Sequence, residues 1–176
     1  MLPRIRDPIL LRRLRPSDLA EFQAYRTDPQ VGLYQGWSLM SHEDAVAFLE
    51  DSESAPLLQP GHWTQIAIAS SENGRLMGDL GIFLNEEQSQ AEIGFTLAQT
   101  NQGRGLATRA VLEAIELLFD HTPVERVIAV TDARNAQSIR LLERVGMSLS
   151  ETAEAIFRRE PCVEHTYALE RGQSDV

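Results

Sequence analysis

Residues 99–108, Gln-Thr-Asn-Gln-Gly-Arg-Gly-Leu-Ala-Thr, constrain this chain more than any other stretch. They separate an apolar run of strand composition from the longest helical pattern in the sequence. Gly103 and Gly105 can adopt backbone angles closed to other residues, and without side chains they let an anion approach the peptide N–H groups. The first N–H groups of the following helix lack internal partners, and the helix dipole adds partial positive charge there. The stretch reads as an anion cradle.

Spacing separates the phosphate-binding alternatives. A P-loop requires a lysine after its second glycine, and the chain contains no lysine. A dinucleotide fingerprint would place Gly or Ala where Thr108 stands, inside a strand-helix-strand unit, whereas the upstream chain reads as an antiparallel meander. The pattern that fits is Gln/Arg-x-x-Gly-x-Gly/Ala, as Gln102-x-x-Gly105-x-Ala107. Taken alone, those six residues also suit an ordinary glycine-containing turn from strand to helix.

Composition narrows the rest. A chain of 176 residues suits one domain, spanning 1–176, that buries roughly 70% of its unfolded surface. The lone Cys162 allows no internal disulfide. With no long apolar span or leader pattern, no membrane role and a cytoplasmic location are expected. Four scattered histidines and one cysteine give no metal-ligand spacing, so no metal is expected. The net charge of −10 disfavours nucleic acid as a partner. Residues 1–98 carry 7 arginines against 14 acids, residues 99–144 carry 6 against 6, and residues 145–176 carry 3 against 6. The cradle segment is thus neutral, and the excess acid lies on either side of it.

In chain order, residues 9–14 read as a first strand ended by Arg15-Pro16-Ser17-Asp18. A helix follows, with Asp18 and Glu21 spaced as a capping box. Ser41-His42-Glu43-Asp44 signals a second helix, and residues 31–37 between the two have loop composition. Residues 63–70 form a strand, Asn73-Gly74 a hairpin turn, and residues 76–84 a strand in which Gly78 and Gly81 predict a bulge or close backbone approach. In residues 91–97, Ile93, Phe95 and Leu97 share one face, and Glu92, Gly94 and Thr96 the other. From Leu106 an apolar stripe (Leu106, Ala110, Val111, Ala114, Ile115, Leu118) predicts a helix whose wet face holds Arg109, Glu113, Glu116 and Asp120. A strand at 126–130, a helix opened by Asn135, and strands near 147–157 and 165–169 complete the reading.

The element order, the Glu92-Ile93-Gly94-Phe95 strand, the Gln102 to Ala107 cradle, and Asn135-x-x-Ser138 followed by Leu-Leu-Glu-Arg-Val-Gly together resemble the GNAT N-acetyltransferases. Within that superfamily they are most similar to the ribosomal-protein-alanine (RimJ/RimL-like) branch. The resemblance implies a mixed α/β (α+β) fold with a twisted, mostly antiparallel sheet and helices on both faces. Its central strands, here 91–97 and 126–130, splay to admit acetyl-CoA. It also implies an acyltransferase carrying the acetyl group to a primary amine in a ternary complex, the acceptor being a protein N-terminus or a small cationic amine. A non-catalytic acyl-CoA-binding module is the competing class. Met147 departs from the usual aromatic, and Gln102 stands where arginine is common.

The chemistry asks for three things. Glu92 is the candidate general base, with an ion-paired or solvated strand carboxylate as the plain alternative. Backbone N–H groups near Phe95 and Thr96 are candidates to polarise the thioester carbonyl. Ser138 is a general acid or coenzyme contact in parts of the branch; here Asn135 and Ser138 also make an ordinary helix start. Tyr34 would line the acceptor pocket or supply a proton. Coenzyme contacts are expected from Phe95, Thr96 and Leu97, from Gln102, Gly103, Arg104, Gly105, Leu106, Ala107 and Thr108, and from Asn135 and Ser138. Arg104 ranks ahead of Arg109 and Arg140 for the phosphates, because Arg109 stands one turn from Glu113 and can pair with it. A late strand is long enough to pair across a homodimer.

Overall fold

The computed structural model describes residues 1–173. Its strands are β1 (Arg4–Arg6), β2 (Ile9–Arg13), β3 (Trp63–Ser70), β4 (Leu76–Leu84), β5 (Gln90–Leu97), β6 (Arg126–Asp132), β7 (Ser148–Phe157) and β8 (Glu160–Glu170). They lie side by side in the order β1-β2-β3-β4-β5-β6-β8-β7. Neighbours run antiparallel except β5 and β6, which are parallel. Helices α1 (Leu19–Arg26) and α2 (His42–Ser54) cover one face, and α3 (Leu106–His121) and α4 (Ala136–Arg144) the other.

Alternation along the strands divides the core between those faces. In β3, Ile66 and Ile68 join the larger cluster under α3, while Ala67 joins Phe22, Tyr25 and Leu49 under α1 and α2. In β5, Ala91, Ile93 and Leu97 turn toward α3. The whole expected stripe of α3, from Leu106 to Leu118, is buried.

The feature that makes a site is where pairing stops. β5 and β6 share three registered pairs, Gln90 with Arg126, Ala91 with Val127 and Glu92 with Ile128. Beyond Glu92 the two strands part, among the described residues, while β5 stays paired to β4 as far as Leu97. Gly78 lies opposite that stretch, and a Cβ there would stand 2.1 Å from the Thr96 carbonyl oxygen. A register shift at Ile68/Ala69 accompanies this close approach, as the glycine predicted. The Asn73-Gly74 turn joins β3 to β4 with Gly74 at φ +72°.

Other expectations are corrected. Asp18 makes no side-chain cap to α1. Its carboxylate accepts from both Arg12 Nη atoms at 2.8 Å and from the Arg15 N–H at 3.0 Å. Both side chains of that pair are buried, so removing one partner would leave an uncompensated charge at a cost of about 3–5 kcal/mol. Glu113 is buried rather than wet, because Arg4 and Arg6 of the unanticipated strand β1 both donate to it. Arg109 therefore does not pair with Glu113; it donates to the Asp7 carbonyl at 3.1 Å. β8 begins at Glu160, earlier than the sequence suggested, and forms one hairpin with β7 across a two-residue turn, Arg158 and Arg159, at φ +51° and +70°. Such a turn ordinarily draws Asn and Gly, so two arginines gave no signal for it.

Candidate functional site

Where β5 and β6 part, a cleft of about 970 Å³ passes between them. One wall is the end of β5 with the cradle, the other is β6 with the start of α4, and the 30–36 loop lies over the α1/α2 side.

The cradle has the conformation its glycines foretold. Gly103 and Gly105 both sit at φ +73°, and a Cβ on either would meet open space. Gly105 is the N-cap of α3 with no side-chain cap, and the first turn contains no acid. The helical ladder begins with the Arg109 N–H bonding to the Gly105 carbonyl at 3.2 Å. The N–H groups of Leu106, Ala107 and Thr108 precede it and stay free of intrahelical partners. These three residues line the cleft with Gln102, Gly103 and Gly105. An open concavity lined by backbone donors at a helix N-terminus fits a pyrophosphate. Gln102 braces it, donating from Nε2 to the Leu97 carbonyl at 3.0 Å.

Backbone direction in β5 follows from its side-chain contacts. The Phe95 carbonyl accepts from Gln35 Nε2 at 3.3 Å, and the Leu97 carbonyl from Gln102, so both point away from β4. The Thr96 carbonyl faces Gly78, and the Ala98 N–H bonds to the Met77 carbonyl at 2.9 Å. N–H and C=O of one strand residue share an edge, so the Phe95 N–H opens on the cleft and the Thr96 N–H turns to β4. Only the first of the two expected donors is aimed at the site. Phe95, Thr96 and Leu97 nonetheless all line it.

Across the cleft, Asn135 and Ser138 line the wall. Asn135 Oδ1 caps α4, accepting from the Ser138 N–H at 3.2 Å, and the Ser138 hydroxyl makes no hydrogen bond among the described residues. Capping through the Ser138 N–H therefore leaves the hydroxyl of this cleft-lining residue uncommitted. Tyr34 also lines the cleft, with the Arg134 guanidinium 6.0 Å from its ring centroid. Arg134 is held by Asp132 through two hydrogen bonds of 2.9 and 2.7 Å, which keep the Asp132 carboxyl below its ordinary range.

Arg104, ranked first for the phosphates, lies outside the cleft lining, and Arg140 lies within it. Arg144, one turn after Arg140, lines the same wall. Glu92 is half-buried at the last paired position, set back from the lining. Burial pushes its carboxyl above the ordinary glutamate range, and the nearby Glu164 charge adds to the rise. Glu164 itself lines the cleft.

Sequence reading missed Gln35, Arg134, Arg144, Phe157 and Glu164. The loop composition of 31–37 pointed at Gln35. The spacing from Arg140 to Arg144 was the only signal for Arg144. Nothing local places Phe157 or Glu164 here, because both arrive through the β7–β8 hairpin. Among the described residues no cluster could hold a metal, and no helix is long and apolar enough to cross a membrane.

Comparison with known proteins agrees with this architecture. The Acetyltransferase (GNAT) domain family matches residues 9–148. An uncharacterized N-acetyltransferase, p20, of Bacillus licheniformis is 26% identical over 160 residues, covering 86% of this chain and 83% of that protein. The structure of a GNAT-family acetyltransferase from Bacillus anthracis superposes with a TM-score of 0.84 at 20% identity, covering 97% of this chain and 98% of that one. RimL, a ribosomal L7/L12 α-N-protein acetyltransferase solved with coenzyme A, gives 0.81 at 16% identity, covering 95% and 96%.

Proposed function

The chain belongs to the GNAT acetyltransferase family, and from that premise we propose that it transfers an acetyl group from acetyl-CoA to a primary amine by direct attack in a ternary complex. The observation that carries this reading is the junction of two features in one cleft. The parting of β5 and β6 after Glu92 opens a passage, and the Gly103/Gly105 cradle lies at its mouth.

Acetyl-CoA would supply an activated acyl group; the protein's residues would do the rest. The N–H groups of Leu106 to Thr108 would hold the pyrophosphate, with Arg140 and Arg144 facing the same space. The Phe95 N–H would stabilise charge developing on the carbonyl oxygen. An amine must lose a proton to attack, and Glu92, raised by burial and by Glu164, would take it through one intervening water. Ser138, which lines the cleft, would give a proton to the departing sulfur. Tyr34 would border the acceptor.

The acceptor is proposed to be cationic, either a protein N-terminus or a small amine. The excess acid of residues 1–98 and 145–176 supports this, and Glu164 lines the cleft. RimL is named for a protein acceptor, and that supports the first alternative for the branch as a whole. β7 forms a sheet edge and would be the strand for a homodimer.

The test is Glu92→Gln. It should lower kcat by about 10²- to 10⁴-fold while leaving the Kd for acetyl-CoA nearly unchanged. A kcat close to that of the unaltered protein would remove Glu92 from the chemistry.

A further inference from the structure

Building on the acetyltransferase reading of the cleft, we infer that the acceptor is a small amine and not the N-terminus of a protein chain, because the 28–36 loop roofs the acceptor end from one lip to the other. On the β5 lip, Gln35 Nε2 donates to the Phe95 carbonyl at 3.3 Å, and Gln30 pairs with Gln99 at the start of the cradle segment. On the opposite lip, Arg158 Nη2 at the tip of the β7–β8 hairpin donates to the carbonyls of Gly32 at 2.8 Å and Gln35 at 3.2 Å. Arg134, fixed by Asp132, lies over Tyr34 on that same lip. Buried Val31 anchors the base of the loop in the α1/α2 core.

One lip is β5 and the other is the tip of the β7–β8 hairpin, whose β8 pairs with β6, so a loop bonded to both spans the opening. Phe157 and Glu164 line the space beneath it. A protein N-terminus brings a chain behind its amine, and each residue of an extended chain adds about 3.3 Å that must leave through a continuous groove. Here the Arg158 guanidinium, bonded to the Gly32 and Gln35 carbonyls, closes the hairpin side. A small amine needs no exit. The turn residue Arg158 stands at φ +51°, a conformation disfavoured for a side chain of its kind, and its two carbonyl contacts help hold it there.

The experiment compares kcat/KM for spermidine with that for octapeptides bearing free Ala or Ser N-termini followed by basic residues. The unaltered protein should favour spermidine by about tenfold or more. Arg158→Ala frees the roof from the hairpin and should shift the ratio toward peptide by about tenfold. Arg159→Ala, in the same turn and at positive φ, should leave the ratio as it was. If Arg158→Ala loses cooperative melting, Gln35→Ala releases the other lip for the same comparison. Peptides used as well as spermidine, or a ratio unmoved by both roof variants, would overturn the inference with the acetyltransferase reading intact. Acetyl-CoA binding without turnover of any acceptor would defeat that reading, and this inference with it.

Discussion

Two carboxylates show how position sets chemistry. Glu92 is raised first by burial and second by Glu164. Its deprotonated form is the one able to accept a proton, so kcat/KM should fall on the acid side with a midpoint above the ordinary glutamate range. Glu164→Gln removes the second cause, and a pH–rate profile should show that midpoint moving down while burial keeps it from falling all the way. An unmoved acid limb would mean that Glu164 does not act on the group that titrates there. Glu113 behaves oppositely. Burial alone would raise it, but hydrogen bonds and charge from Arg4 and Arg6 outweigh burial and hold it below 4.5. Stability from this contact is therefore complete above the unfolded value of 4.5 and is lost as pH falls through the folded value. Urea unfolding between pH 3 and 6 should show a shallower acid loss in Glu113→Gln than in the unaltered protein. Glu92 could be singled out from the sequence because strand alternation and the following cradle locate it. Glu113 could not be placed, since its position on α3 reads as solvent-facing until β1 is known to lie against it.

Among the elements, those with local punctuation were legible. Ser41-His42-Glu43-Asp44 opens α2 where the sequence signalled a helix, with Ser41 and Asp44 forming a capping box, and Gly146 follows the end of α4 at φ +88°. The β7–β8 hairpin had no such punctuation, and three-residue β1 is too short to show a period. The splay lies between these cases: the resemblance implied it, but only the register reveals that pairing ends at Glu92. Gly78 fixes β5 beside that point. In Gly78→Ala the new Cβ meets backbone at 2.1 Å from Thr96 O and 2.8 Å from Leu97 Cα, so β4 and β5 must move apart. We expect a loss of at least about 1–3 kcal/mol in urea unfolding, with weaker acetyl-CoA binding. Gly105→Val tests the cradle separately. It has open space around it but a positive φ, so the cost is backbone strain and a side chain projecting into the cradle. A ligand at 100 times its Kd stabilises the native state by about 2.7 kcal/mol. Most of the acetyl-CoA-induced rise in Tm should disappear in this variant; an undiminished rise would place the pyrophosphate elsewhere.

For the whole molecule, charge is divided by role. The excess acid lies in residues 1–98 and 145–176, which supply the 28–36 loop, β5 and the β7–β8 hairpin around the proposed acceptor end. The neutral segment between them supplies the cradle and α4. Such a field favours a cationic acceptor and gives coenzyme binding little long-range help. Between about 10 and 500 mM salt, where screening shortens from about 30 Å to below 8 Å, kcat/KM for the amine should fall steeply while KM for acetyl-CoA stays nearly flat. The central claim is acetyl transfer itself, and coupled measurement of thiol release and acetylated amine tests it most directly. With acetyl-CoA and a panel of small cationic amines, thiol should appear only when amine is present, mole for mole with the acetylated product. Saturable binding of acetyl-CoA with no amine-dependent thiol release across the panel would contradict the account and leave an acyl-CoA-binding module in its place.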